Sequence, residues 1–408
     1  MVRESSSARW TPWRVVLSIG IVSLLADMVY EGARSMYGPL LASLGASAFV
    51  VGLVTGAGEA MALVLRLATG PMADRRGGHW SFTIVGYGLT AICVPLLAVA
   101  PHLGAAGLAF AALMILAERA GKAVRSPSKS ALLADAAREV GLGRGFGIHK
   151  ALDQVGAFAG PLLVAAIAAA AGTIWAAPAW LAVPGALAMG LLLVIRRAAP
   201  TLGRPPGENP ATTWWAGVAG AGLPPVFFRY AVAASLTTGG LVTFGIIGYH
   251  LVTSLGLSAA QTALVYAGAM LVEAVAALLV GWVYDRRGNA VLYAVPLLVA
   301  LVPPLALGGS LPLALAGVAV WGAAFGVQDS TIKALVAALV PPGRLASAYG
   351  VFAAIQGAMA IVGGGLAGLL LDHSLPALVG VVAVSQVAAA WLLHTAIRLA
   401  RVAPQRLS

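Results

Sequence analysis

Twelve runs of apolar residues, each about long enough to cross a bilayer, constrain this chain more than any other feature. A spanning helix needs about 20 such residues. The candidates lie near 13–38, 49–70, 80–100, 104–125, 146–168 and 175–195, then 226–251, 260–281, 290–308, 311–335, 346–371 and 377–398. Backbone N–H and C=O groups in hydrocarbon must satisfy one another, so the runs read as helices. Of 408 residues, 60% are hydrophobic and only 10% charged, against about a quarter charged in soluble domains. The expected fold is an all-α membrane protein with the lipid bilayer as its solvent. The first run carries Asp27, Glu31 and Arg34, which a cleaved signal core would lack, so it is expected to be retained as span 1.

The net charge of +11 would suggest nucleic acid in a soluble protein, but its distribution has another explanation. Arg3, Arg9 and Arg14 precede span 1, and Arg75 and Arg76 lie between spans 2 and 3. Lys129, Arg138 and Arg144 lie between spans 4 and 5, and Arg196, Arg197 and Arg204 follow span 6. Arg286 and Arg287 separate spans 8 and 9, Arg344 separates spans 10 and 11, and Arg398, Arg401 and Arg406 follow span 12. The alternate loops hold no Lys or Arg. This pattern predicts twelve crossings with both termini in the cytosol of a cell whose inner membrane holds the chain. No nucleic-acid partner is needed to explain the charge. Gly and Pro are expected to mark the turns, at Pro101, Pro127, Pro178, Pro303 with Pro304, and Pro341 with Pro342. The six histidines have no metal-ligand spacing, and the one cysteine, Cys93, excludes an internal disulfide. No cofactor and no metal are expected.

Two short stretches divide the chain into halves. GPMADRRGG begins at Gly70, with Asp74, Arg75 and Gly77, and is read as a charged turn. It recurs as GWVYDRRG from Gly281, with Asp285, Arg286 and Gly288, about half a chain later. GRGFGIHKALDQVGAFAGP from Gly143 resembles ASAYGVFAAIQGAMAIVGG from Ala346, so Gly147 falls on Gly350, Asp153 on Gln356 and Gly160 on Gly363. Such internal matches point to duplicated bundles. The expected division is an N-terminal bundle over 1–197, a Pro- and Gly-rich cytosolic linker over 198–225, and a C-terminal bundle over 226–408.

Twelve spans in two halves, with GxxxDRxG after spans 2 and 8, resemble the major facilitator superfamily over almost the whole chain. Gly78-His79 and Asn289-Ala290 stand where that motif continues with basic residues. Gly147, Gly156, Gly160 and Pro161 in span 5 resemble the antiporter motif of drug:proton exporters, with Val164-Ala165 in place of its glycine pair. DMVYEGARSMYGPLLASLGAS and ERAGKAVRSPSKSALL resemble a group of uncharacterised prokaryotic permeases. The resemblance implies two six-helix bundles, with Asp74 and Asp285 at cytosolic helix ends bridging the halves in one conformation. The alternative is that DRRG is only a solvated, orientation-setting turn.

Ionisable residues at membrane depth are functional candidates by default. Asp27, Glu31 and Arg34 share one face of span 1, and Glu59 stands at mid-depth in span 2. These three acids are the candidate proton carriers, against the alternative of static ion pairs that fix packing. Glu118, Lys122 and Arg125 share a face of span 4; the two bases either face the cavity or snorkel to the cytosol. Asp153 in span 5 is expected to pair with Lys122 or Arg125. In the second half, Glu273 is a candidate cavity carboxylate, Asp329 is expected to pair with Lys333, and Trp321 either packs or stacks on substrate.

The expected function is secondary transport of a small molecule by alternating access, proton-coupled and favouring export, by a chain that is not an enzyme and acts as a monomer. The alternatives are proton-coupled uptake of an anionic metabolite and, in a different class, a membrane receptor or acyl-transfer enzyme. No Walker motif is present, which argues against ATP hydrolysis.

Overall fold

In the computed structural model, described for residues 10–76, 78–202, 223–340 and 345–402, the apolar runs form helices. The side chains of 74–76, 284–285, 330–335, 337–338, 345–347 and 400–402 are not part of that description. The helices of the first half are α1 (Pro12–Ser43), α2 (Ala48–Arg76), α3 (His79–Leu96), α4 (Gly107–Ala137), α5 (Leu142–Ala171), α6 (Ala176–Trp180) and α7 (Ala182–Ala198). Those of the second half are α8 (Pro225–Gly240), α9 (Phe244–Thr253), α10 (Ala259–Arg287), α11 (Ala294–Ala306), α12 (Leu311–Leu339), α13 (Leu345–His373) and α14 (Leu375–Val402). The short helices α6 and α7 together make span 6, and α8 and α9 make span 7.

Eleven continuous apolar stretches are long enough to cross a membrane among the described residues, and one of them, His79–Ala137, has 59 residues. A helix of that length would extend about 88 Å against a hydrocarbon core of about 30 Å. The chain instead reverses through the 3₁₀ segment Leu97–Ala106, where Gly104 takes φ +52°, ψ −127°, a conformation that residues with a β-carbon rarely adopt. α3 then packs closely against α4. The stretch is two crossings, and the total is twelve.

Several sequence expectations are corrected. Both DRRG stretches begin inside helices rather than in loops: α2 runs through Pro71 to Arg76, and α10 runs to Arg287, after which Gly288, at φ +55°, turns the chain. Pro127 lies inside α4, and Pro303 and Pro304 lie within α11. Neighbouring helices can re-satisfy the backbone groups that an intramembrane proline frees. α4 therefore continues twelve residues beyond the expected end of span 4, and Lys129 sits on it rather than in a loop. Pro341 and Pro342, Gly77, and most of the expected linker fall outside the described residues.

Span 7 is broken, where a continuous helix was expected. Leu241 and Thr243 are extended, at ψ 95° and 148°. The interruption is held by side chains from three other helices. Trp321 Nε1 donates to Val242 O at 2.8 Å, Gln386 Nε2 donates to Leu236 O at 3.0 Å, and Thr55 and Thr243 join through their hydroxyls at 2.7 Å.

The duplication is visible in how the helices meet. Within the first half, α5 lies against α1, and a β-carbon added at Gly160 would collide with Met28 O. Within the second, α13 lies against α8, and a β-carbon at Gly363, the matched residue, would collide with Gly239 O. The halves meet mainly through α2 with α13 and α5 with α10, and through α1 with α9 and α10. At the α2–α13 crossing, Gly52 and Gly56 face Gly364 and Ala360 with no room for a β-carbon. This contact lies toward the face opposite the basic loops, called here the far face. There the carboxylate of Asp372, at the end of α13, accepts from Ala48 N at 3.2 Å and Phe49 N at 3.0 Å, the first turn of α2. A carboxylate satisfies orphan donors and complements the positive end of a helix.

Gly364→Val is expected to destabilise the protein by about 1–3 kcal/mol through overpacking, whereas Gly380→Val, whose β-carbon meets nothing within 4 Å, should leave the melting temperature in detergent unchanged. Asp372→Ala should cost about 1 kcal/mol, the usual worth of a helix cap, in the same measurement.

Candidate functional site

A cavity of about 620 Å³ lies between the two halves. Its lining runs from Arg34 and Thr243 at depth to Lys129, Lys150, Asp329 and Tyr349 near the basic face, so it opens toward the side of the chain termini. α1, α2, α4 and α5 supply nearly all its charge, while α8, α12 and α13 supply amides, hydroxyls and aromatic rings.

The charged wall is built around the ring of Tyr30. Lys122 Nζ stands 3.6 Å from its centroid and the guanidinium carbons of Arg119, Arg34 and Arg125 at 4.3, 5.6 and 5.9 Å. An aromatic face attracts cations, more strongly where water is excluded. The Tyr30 hydroxyl also accepts from Arg119 Nη1. The acids then thread between the arginines. Arg34 pairs with Glu31 at 3.2 Å and Glu59 at 3.1 Å; Arg119 pairs with Glu59 at 3.5 Å and Glu118 at 3.2 Å. Glu118 is fully buried and also accepts from Tyr37 at 3.4 Å and Thr90 at 3.3 Å. Glu31 accepts from the hydroxyl of Tyr266, on α10 of the other half.

A second group lies nearer the basic face. Asp153 stands 3.9 Å from Lys129 and 3.4 Å from His149, and His149 Nε2 meets Ser23 Oγ at 2.8 Å. This corrects the expected pairing of Asp153 with Lys122 or Arg125. Those two bases do not snorkel either: Lys122 rests on Tyr30, and Arg125 is buried, bonded to Thr90 and over the Tyr87 ring. The hydroxyl of a neighbouring helix satisfies one Arg125 N–H, and the side chain lines the cavity instead of running out to the membrane surface.

Of the expected proton carriers, Glu31 and Glu59 are brought together by Arg34. Asp27 is not: it lines the cavity within electrostatic reach of Asp153, Lys129, Lys122 and Arg125 but has no ion-pair contact within 4.0 Å among the described residues. Glu273 lines the cavity from α10, also without an ion pair among the described residues. Trp321 packs with Phe244, Tyr266 and Phe325, its ring stacked on Phe325 at 5.4 Å, and touches the cavity from within that cluster. Lys333, like Asp74, Arg75 and Asp285, has a side chain outside the description; Lys150 Nζ lies 4.0 Å from Asp329 across the halves. Arg286 stacks on Trp282 at 3.6 Å, Gly70 lies against Pro127, and Gly281 is open to added bulk.

Sequence reasoning missed Tyr30, Arg119, Tyr266 and Arg66. Three of them carried a signal: Arg66 is an ionisable residue within the apolar run of span 2. Tyr30 sits directly before Glu31, and Arg119 directly after Glu118, on helices already rich in charge. Tyr266 carried none, because its partner lies 235 residues away.

The Major Facilitator Superfamily profile matches residues 19–364 and, in a second alignment, 230–406. The chain belongs to the major facilitator superfamily. It is 47% identical over 403 residues to an uncharacterized protein of Mycobacterium tuberculosis (strain ATCC 25618 / H37Rv), covering 96% of this chain and 95% of that one. An uncharacterized MFS-type transporter of Methanocaldococcus jannaschii (strain ATCC 43067 / DSM 2661 / JAL-1 / JCM 10045 / NBRC 100440) matches at 30% over 148 residues, 36% of each chain. Among solved structures, a POT family transporter superposes with a TM-score of 0.75 at 14% identity, over 96% of both chains. The nucleoside transporter NupG superposes at 0.68 and 15%, over 94% of this chain and 99% of that one. The two six-helix bundles are therefore the major facilitator fold. Family and fold point to a multi-pass membrane transporter rather than an enzyme.

Arg119→Met leaves Glu118 buried without its cation. The expected loss is about 3–5 kcal/mol of stability, read by thermal unfolding in detergent, with at least half of the melting-temperature loss recovered in the Arg119→Met, Glu118→Gln double variant.

Proposed function

We propose that this chain is a secondary active transporter that exports a small molecule in exchange for protons by alternating access. Residues 1–197 and 226–408 are the rocking bodies, joined by the linker 198–225. The observation that carries the reading is Glu31, a buried carboxylate at the seam between the halves. It is held by Arg34 on its own helix and by Tyr266 on the opposing half. Adding a proton removes the charge that makes both bonds strong. Arg34 then keeps only Glu59, and the bond across the seam weakens. Proton gain at this residue is thereby tied to the relative position of the two halves. Glu59 and Asp27 complete the proton path, one between two arginines and the other nearer the basic face.

The cytosol lies on the basic side, in keeping with the positive-inside pattern of an inner-membrane protein. The cavity then faces the cytosol, and the far-face contacts of Gly52, Gly364 and Asp372 close the outer side. Asp74 with Arg75, and Asp285 with Arg286, gate the cytosolic side in the opposite conformation. Export is favoured by the span 5 glycines: Gly156 and Gly160 let α5 touch the backbone of α1 beside Leu24 and Met28, next to the proton-carrying face. A second reading, uptake of an anionic metabolite, is favoured by the charge on the wall. On the first half's side six bases (Arg34, Arg66, Lys122, Arg125, Lys129 and Lys150) stand against the four acids Asp27, Glu31, Glu59 and Asp153, with Glu273 and Asp329 on the facing half.

The test is proton flux across proteoliposomes on addition of each member of a panel of small organic compounds. Glu31→Gln is expected to lower compound-driven flux at least tenfold while compound counterflow persists, with Tyr266→Phe intermediate. Wild-type flux in the Asp27→Asn, Glu31→Gln, Glu59→Gln triple variant would refute the scheme.

A further inference from the structure

Two bases in the cavity have no acid to hold them. Lys122 meets only the Tyr30 ring, and Arg66 has a buried Nε with no hydrogen-bond partner. Neither has a carboxylate within ion-pair distance among the described residues. Both lie within electrostatic reach of Glu59, which Arg34 and Arg119 already occupy. Glu31 and, less strongly, Asp27 also act on Lys122, and Asp329 on Arg66, all from beyond ion-pair distance. Both bases are half-buried; a base held partly out of water without a partner carries a cost, and an anion entering from the open side would offset it.

The facing wall has a different chemistry. Thr238 donates its one hydroxyl proton to Ala234 O at 3.0 Å, so its oxygen must accept from Gln328 Nε2 at 2.8 Å and Gln356 Nε2 at 3.0 Å. Each amide nitrogen thereby gives Thr238 one of its two N–H groups. Gln328 Oε1 is buried with no partner. One turn before it on α12, Phe325 has its ring 5.6 Å from the Arg34 guanidinium carbon. The wall opposite the bases therefore offers the Phe325 ring and one unpartnered acceptor, Gln328 Oε1, which suit a ring bearing a hydrogen-bond donor.

We propose that the cargo is a small aromatic anion: its carboxylate or phosphate is held by Lys122 and Arg66, its ring rests on Phe325, and a hydroxyl or amine on the ring donates to Gln328. The inference rests on reading the cavity as the cargo site and holds for either direction of transport. An arginine fork and a lysine point charge both suit carboxylate and phosphate, so the two head groups are separate arms of the test.

Benzoate, 4-hydroxybenzoate, phenyl phosphate and the uncharged benzamide are titrated against the full chain in detergent, and each is then added to proteoliposomes with a proton-flux readout. Benzoate or phenyl phosphate is expected to bind at least tenfold more tightly than benzamide, and 4-hydroxybenzoate more tightly than benzoate. The charge preference should shrink about tenfold in Lys122→Gln and in Arg66→Gln. The preference is a ratio taken within one protein preparation, so it is insensitive to partial unfolding of a variant. Benzamide binding as well as benzoate, or an unchanged preference in both variants, would overturn the proposal. If neutral or cationic compounds drive proton flux while neither anion binds, the cargo assignment fails and proton coupling stands. If the anions bind with the expected preference but no proton moves, the cargo assignment stands and the coupling fails.

Discussion

Four basic side chains crowd the ring of one tyrosine in the first bundle, and lipid offers them nothing in return. Arg34, Arg119, Lys122 and Arg125 are kept at that depth by the π face of Tyr30 and by Glu31, Glu59 and Glu118 threaded between them. Removing water raises the cost of an unpaired charge and the strength of a paired one together. The network therefore fixes the mutual positions of α1, α2 and α4 more firmly than apolar contact with lipid-like neighbours would. The rest of the site is arranged around that wall.

The packing that surrounds it relies on the absence of side chains. In lipid, helices associate without a hydrophobic driving force and gain from close backbone approach at small residues. Glycines mark the crossings of α1 with α5 and α8 with α13 within the halves, and of α2 with α13 between them. Such crossings leave little polar bonding between the halves. The polar links that do cross, Tyr266 to Glu31, Thr243 to Thr55, Asp372 to the start of α2 and Lys150 to Asp329, are therefore well placed to be made and broken as the halves move.

The second half gives the cavity a sparsely charged wall, with Glu273 and Asp329 as its charged lining residues among those described, because its sequence lost charge where the first half kept it. Asp153 matches Gln356, and Glu118 matches Trp321. The outcome is an asymmetric site in a symmetric frame. The bases and most of the acids stand on one side, with rings, carboxamides and two acids on the other. The break at Leu241–Thr243 adds backbone to this wall, stabilised by Trp321 and Gln386. Interrupted helices at membrane depth occur where the backbone is buried in protein or lines a cavity.

The amino-acid sequence determined the solvent, the number of crossings, the duplication and the helices that carry charge, because each depends on residues near one another along the chain. An apolar run longer than the bilayer core, or an acid one turn from a base, is complete within a single segment. It did not determine which acid meets which base. Asp27 and Glu31 lie one turn apart, yet only Glu31 reaches Arg34, and Asp153 turned to Lys129 and His149 instead of Lys122 or Arg125. Nor did local pattern reveal that Pro127 continues a helix while Leu241–Thr243 ends one, since the groups that satisfy those backbones come from other helices. Those choices belong to the tertiary structure: in lipid a buried charge or freed backbone group is satisfied by whichever partner the packing brings within about 3 Å, and packing joins residues hundreds of positions apart.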